Sequence, residues 1–334
     1  MNRLSACITP LVLFTVSAVS ADPGSTLQEA FQDHFLIGAA LNASQFAETE
    51  SARKDLITSQ FNTLTAENVM KWQPIHPRPG QYHFAAADRF VAYGERHNMF
   101  LVGHTLVWHS QTPSWVFQDD SGNPLDRESL LNRMREHIHT VVGRYRGRVH
   151  GWDVVNEALN EDGSLRDSPW RRIIGDDYLE HAFRFAHEAD PDAELYYNDY
   201  GLESEAKRRG ARALLQRLQT AGVPLTGVGI QGHGNLNWPS PQAVADTIET
   251  FADLGLRVMI TELDLYVLPS GRSQVVNTED LYGFFLHRVG ALGGQGYVVG
   301  NVIGGRGTLR LGRPGRVSGG RGARYGPLCG PSSG

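Results

Sequence analysis

Cysteine is almost missing: Cys7 and Cys329, one near each end, are the only two in 334 residues. That excludes a core stapled by disulfides and any zinc or redox site built on paired cysteines. No apolar run reaches about 18 residues, which excludes a multi-span membrane protein. Lysine occurs only at positions 54, 71 and 207, so nearly all of the 31 basic residues are arginine. Acid is absent after Asp280, and tryptophan after Trp238.

These last absences divide the chain. Residues 1–21 carry only Arg3, and residues 281–334 carry seven arginines and no acid, which leaves 23 basic against 36 acidic residues in 22–280. A body so acidic repels a phosphate backbone, which argues against nucleic-acid binding. The whole chain's 41% hydrophobic and 20% charged content is that of a globular protein and excludes disorder as the main state. The first 21 residues read as a secretory leader: Arg3, then the apolar Leu11-Val12-Leu13-Phe14, then Val19-Ser20-Ala21 before Asp22. Cleavage after Ala21 and secretion are expected, with no membrane span in the mature chain.

Short apolar runs then alternate with amphipathic stretches. Strands are predicted over 35–40, 61–66, 100–108, 149–156, 194–198, 228–231 and 257–262, with helices such as 126–145, 178–189, 204–220 and 241–254 between them. Seven βα units over about 250 residues imply a parallel sheet covered by helices, and eight would close a (β/α)8 barrel. The eighth unit looks incomplete or scrambled. A helix could start over 278–288 and a strand over 297–303, but residues 291–334 hold 15 glycines and six arginines with no acid, a composition that does not bury a core. The expected division is therefore a leader (1–21), a catalytic barrel (22–290) and an anomalous tail (291–334). Three readings of the tail compete: a flexible Gly/Arg tail, a natural extension with a binding role, and GC-rich DNA translated in a shifted frame. The shifted frame fits best, because it explains both the composition and the abrupt end of the βα rhythm. An uninterrupted frame on resequencing would overturn it.

Nearly every predicted strand ends in polar residues, and in a parallel barrel those ends converge on the face where the chemistry sits. Glu157 and Glu262 each follow an apolar strand. Two such carboxyls are suited to splitting a glycosidic bond, one protonating the leaving oxygen while the other meets the anomeric carbon. Asn156 could hold a sugar hydroxyl, and the tryptophans and tyrosines among the acids suit the flat faces of pyranose rings. Taken singly, each carboxylate could equally be a helix cap or a surface charge; six polar strand ends in succession argue otherwise. No phosphate-binding loop is present, so no cofactor is expected. His104, His109 and His233 lack the tight spacing of a metal site, so no metal is expected either. His109 reads as a structural hydrogen-bonding residue, and Asp153 and Asp199 as ties or caps beside the site. Trp115, Trp170 and Trp238 could be either loop packing or sugar platforms.

Six segments resemble the endo-β-1,4-xylanases of glycoside hydrolase family 10. They are Thr65-Ala66-Glu67-Asn68-Val69-Met70-Lys71-Trp72, Gly103-His104-Thr105-Leu106-Val107-Trp108-His109-Ser110-Gln111, Trp152-Asp153-Val154-Val155-Asn156-Glu157-Ala158, Tyr196-Tyr197-Asn198-Asp199-Tyr200, Gly229-Ile230-Gln231-Gly232-His233 and Ile260-Thr261-Glu262-Leu263-Asp264. The resemblance implies a (β/α)8 TIM barrel, a monomer acting on xylan and xylo-oligosaccharides, and a retaining double displacement. In it Glu262 is the nucleophile and Glu157 the acid, later the base. It further implies that Asn156 faces the 2-hydroxyl of the sugar being cleaved, that Lys71 and His104 reach the neighbouring hydroxyl, and that Glu67 and Asn68 grip the next sugar. Trp108 and Gln231 would shape the cleavage subsite, Asn198 and Tyr200 would lie toward the leaving group, and His233, backed by Asp264, would keep Glu262 ionised.

The departure is at the end. Members of the family follow the nucleophile with a strand carrying Phe-Trp-Gly and then a second tryptophan, and this chain has neither. Without that unit the first and seventh strands are expected to expose unpaired edges, leaving the chain less stable than an intact relative and weak or inactive. Two alternatives remain: a polysaccharide-binding protein that no longer turns over, and a β-1,4-glucanase, since xylose and glucose differ by one hydroxymethyl group.

Overall fold

Each apolar run is a strand in the computed structural model, which describes residues 25–47, 51–235, 238–266 and 296–301. The strands are β1 (Leu36–Leu41), β2 (Thr63–Ala66), β3 (Phe100–Trp108), β4 (Gly151–Asn156), β5 (Glu194–Asp199), β6 (Gly227–Ile230), β7 (His233–Asn235), β8 (Arg257–Tyr266) and β9 (Gly296–Asn301). Every pairing between them is parallel. The ring runs from β1 through β6 in sequence order, passes to β8, then to β9, and returns to β1. The short β7 lies outside this circuit and pairs with the last residues of β8. This is the (β/α)8 barrel that the alternation implied.

One expectation is corrected. The edges of the first and seventh barrel strands are not open, because β9 pairs with β1 over Leu36–Ala40 and with β8 over Val258–Leu263. The ring thus draws on a stretch, Gly296–Asn301, that composition assigns to the tail. Its apolar run is long enough to complete two ladders at once, which satisfies backbone donors and acceptors on both neighbours. The expected helix over 278–288 lies outside the described residues, as do the leader and residues 302–334.

Inside the ring, Ala40, Val102, Tyr196 and Met259 pack together. They come from β1, β3, β5 and β8, alternate members of the ring, which is how side chains fill the centre of such a barrel in layers of four. Burying an aromatic or thioether side chain of this size stabilises by about 1.5–3 kcal/mol. Around the ring, the helices turn apolar stripes inward. In Tyr178–Ala189 the buried positions are Tyr178, Leu179, Ala182, Phe183, Phe185 and Ala186, a helical spacing. Helix starts are set by short polar caps: Asp126, Ser168 and Ser240 each accept a backbone N–H three residues on, and proline follows both serines. Gly103 has a packing reason, since a Cβ there would fall 2.2 Å from the Trp152 ring across the β3–β4 pair.

Candidate active site

The C-terminal ends of β2, β3, β4, β5 and β8, with the turn after β6, bring the polar residues together. Glu157 follows β4 directly, with φ at +57°, a left-handed conformation that a non-glycine residue adopts only when its surroundings impose it. Its N–H donates to Asn198 O at 2.8 Å, and its carbonyl accepts from Arg166 Nε at 3.0 Å. The carboxylate is held at both oxygens: Trp108 Nε1 donates to Oε2 at 2.9 Å and Gln231 Nε2 to Oε1 at 3.1 Å.

Glu262 lies within β8, on the facing side of the ring. Its Oε1 accepts from Asn198 Nδ2 at 3.1 Å, and its Oε2 is 3.4 Å from His233 Nε2. Between the two glutamates the Asn156 amide stands 3.0 Å from Asn198 Nδ2 and 3.2 Å from Gln231 Nε2. Thr261 Oγ1 donates to Asn198 Oδ1 at 2.8 Å. Three amides therefore join the carboxylates into one fixed unit. Buried polar groups hydrogen-bonded to one another in this way do not move cheaply.

The electrostatics of Glu262 favour its ionised form. Burial alone would raise its pKa, but the His233 hydrogen bond, the influence of His104 and His233, and the Asn198 hydrogen bond outweigh burial and leave it below the usual carboxylate value. His233 is in turn raised to about 10, first by its hydrogen bond to Asp264 and then by that to Glu262. Its Nδ1 lies 3.0 Å from Asp264 Oδ2. A histidine whose folded pKa exceeds its ordinary 6.5 stabilises the fold fully below that value and loses the contribution as pH rises through about 10. Asp264→Asn removes the main cause. The His233 imidazole, followed by NMR, is expected to titrate about 1–3 units lower in that variant; an unchanged midpoint would overturn the assignment of Asp264 as its support.

On the other flank, Lys71 Nζ donates to Asn68 Oδ1 at 2.9 Å and lies 4.9 Å from the centre of the Trp108 ring. Asn68 Nδ2 reaches Glu67 Oε1 at 3.2 Å. Burial lowers the pKa of Lys71, against the opposing pull of Glu262, Glu67 and Glu157. His104 Nδ1 is fixed 2.8 Å from Asp153 Oδ2, so Asp153 is a tie and not a cap. Asp199 is a tie as well: it pairs with the fully buried Lys207 at 3.0 Å, and burial lifts it to about 6.

The residues that the resemblance assigns to the site meet here, including Tyr200, whose hydroxyl accepts from Arg166 Nη2 at 3.0 Å. Arg166 and Lys207 are not among the site candidates read from the sequence. Arg166 sits in an irregular loop and Lys207 on a helix face, where an isolated basic residue carries no signal. His109 stands 3.9 Å from Glu157 Oε2, too far to hydrogen-bond it. Trp170 is packing, its Nε1 bonded to Trp108 O, and Trp115 bonds Pro77 O, whereas Trp238 is exposed. Among the described residues no cluster of three His, Cys, Asp or Glu could hold a metal ion.

Residues 26–282 match the profile of glycosyl hydrolase family 10. The chain belongs to that family. Among its relatives is endo-1,4-β-xylanase A of Xylanibacter ruminicola, 42% identical over 273 residues, which cover 82% of this chain and 74% of the relative. The endo-1,4-β-xylanase of Geobacillus stearothermophilus is 46% identical over 247 residues, 72% of either chain. A mutant of an intracellular xylanase from Thermoanaerobacterium saccharolyticum, solved with xylotetraose, superposes with a TM-score of 0.77 at 37% identity, over 83% of this chain and 88% of that one.

Proposed function

We propose that this family 10 chain is an endo-1,4-β-xylanase acting by retention, with Glu262 as nucleophile and Glu157 as acid and then base. The observation that carries the assignment of roles is the asymmetry of the two carboxylates. Glu262 faces a histidine raised to about 10, which favours an anion able to attack the anomeric carbon. The Glu157 carboxyl is held by the neutral donors of Trp108 and Gln231, and among the described residues no charged side chain hydrogen-bonds it, His109 being 3.9 Å away. As the second carboxyl across the cleft, it is the group placed to hand a proton to the departing sugar oxygen.

In the first step a Glu262 oxygen bonds to the anomeric carbon as the glycosidic C–O bond breaks, and the Glu157 proton passes to the leaving oxygen. In the second, Glu157 takes a proton from water, whose oxygen displaces Glu262. The sugar before the bond would rest against Lys71, His104 and Asn156, the next against Glu67 and Asn68, and the leaving sugar against Asn198 and Tyr200. Both glutamates stand hydrogen-bonded in place, which disfavours a protein that only binds. The names of the relatives favour xylan over glucan.

The reading includes a monomer exported behind its leader. The test is release of reducing xylo-oligosaccharides from xylan by protein recovered outside the cell, with its first residue read by N-terminal sequencing. Release by a species beginning at Asp22 is expected. Folded protein that releases nothing would sink the enzymatic reading, and activity retained inside the cell would sink the export.

A further inference from the structure

We infer that Arg166 is a positioning residue for the general acid, tying the backbone of Glu157 to the aromatic residue on the leaving-group side. The inference rests on the roles proposed above for Glu157 and Tyr200. The Arg166 guanidinium spans three partners at once: Nε donates to Glu157 O at 3.0 Å, and Nη2 to Leu159 O at 3.0 Å and to the Tyr200 hydroxyl at 3.0 Å. The fork geometry suits arginine alone, since a lysine offers a single point of attachment.

Three features make this bracket stiff. The loop after Glu157 folds back as a narrow hairpin, with Leu159 bridged to Leu165 and Arg166 N donating to Ala158 O at 2.7 Å. The hairpin tip presses on the helix Glu205–Thr220, where a Cβ on Gly210 would lie 2.2 Å from Gly163 O and a Cβ on Gly163 would lie 2.6 Å from Ala206 O. That helix carries Lys207, whose buried ammonium lies 3.0 Å from Asp199 and 3.4 Å from the centre of the Tyr200 ring. Tyr200 is thus backed by a cation on its face and anchored by Arg166 at its hydroxyl. Because Glu157 has left-handed backbone geometry, the hydrogen bond to its carbonyl helps hold a conformation the residue does not favour alone. Seating a sugar against Tyr200 and aiming the acid become one mechanical event.

A residue that aims the acid matters only where the leaving oxygen needs a proton. The test compares kcat/KM for aryl β-xylobiosides that share the same sugars and differ in the acidity of the departing phenol. In Arg166→Met the unsubstituted phenyl substrate is expected to fall about 10–100-fold, as a misaimed acid does, and the dinitrophenyl substrate less than about threefold. Tyr200→Phe keeps the ring and its contact with Lys207 while losing the hydroxyl, and is expected to shift the same ratio in the same direction by a smaller factor. If Arg166→Met does not fold, Tyr200→Phe decides. Equal losses on both substrates, the mark of a merely structural role, would overturn the inference and leave the functional reading intact. A wild type inert on every substrate would overturn both.

Discussion

Glu262→Gln is expected to lower xylan turnover by roughly 10⁴–10⁶-fold while xylo-oligosaccharide affinity stays within about threefold, the pattern of an interaction made only in the transition state. Glutamine has the same shape and still offers an oxygen to Asn198 Nδ2, so the amide bridge across to Glu157 survives. What it lacks is an anion to attack the anomeric carbon. Initial rates on xylan, with titration calorimetry on xylotetraose, measure both halves of the expectation. Turnover above a hundredth of wild type would remove Glu262 from the nucleophile's role; loss of affinity together with turnover would show that the substitution had collapsed the cleft.

Glu157→Ala is expected to fail differently. Hydrolysis of xylan should fall by about 10²–10⁴-fold, the usual contribution of general acid–base catalysis. With a dinitrophenyl xylobioside the first step needs no proton, so a covalent intermediate on Glu262 should accumulate. Removing the carboxylate leaves space beside Trp108 and Gln231, and azide, which needs no base, can enter it. Azide nitrogen then bonds to the anomeric carbon as Glu262 departs, and the product is the β-xylobiosyl azide. NMR of that product reads the stereochemistry directly. An α-azide, or no acceleration by azide, would overturn the double displacement with Glu157 as acid and base.

The strands were legible because both faces of a barrel strand are buried, which turns β3 and β4 into apolar runs that end in chemistry. The observed bounds of β3 are those read from the sequence. The short β7 was missed, since His233-Gly234-Asn235 has neither length nor β-branched residues. The helix Ala85–Arg96 was not singled out; alanine and charge dominate its first turns. In the site, the glutamates and their amides could be read from motifs at strand ends. Arg166 could not, because its role depends on a loop folding back onto β4, and loop geometry is set by tertiary contacts such as the one between Gly163 and Gly210. The open edges expected of β1 and β8 failed for a related reason: a strand over 297–303 was legible, but the composition of the tail around it argued against its completing the ring, and only its pairing with both neighbours shows that it does.

The closing strand also has a consequence for how the protein is made. β1 is complete once Leu41 has been synthesised, but its partner on the open side, β9, begins only at Gly296. At ordinary elongation rates that interval lasts roughly 10–50 s, during which the nascent chain presents an unsatisfied ladder to its surroundings. Almost the whole polypeptide must be synthesised before the ring can shut. A stall or truncation shortly before Gly296 removes the shared partner of β1 and β8, and is therefore more damaging than its distance from either glutamate would suggest.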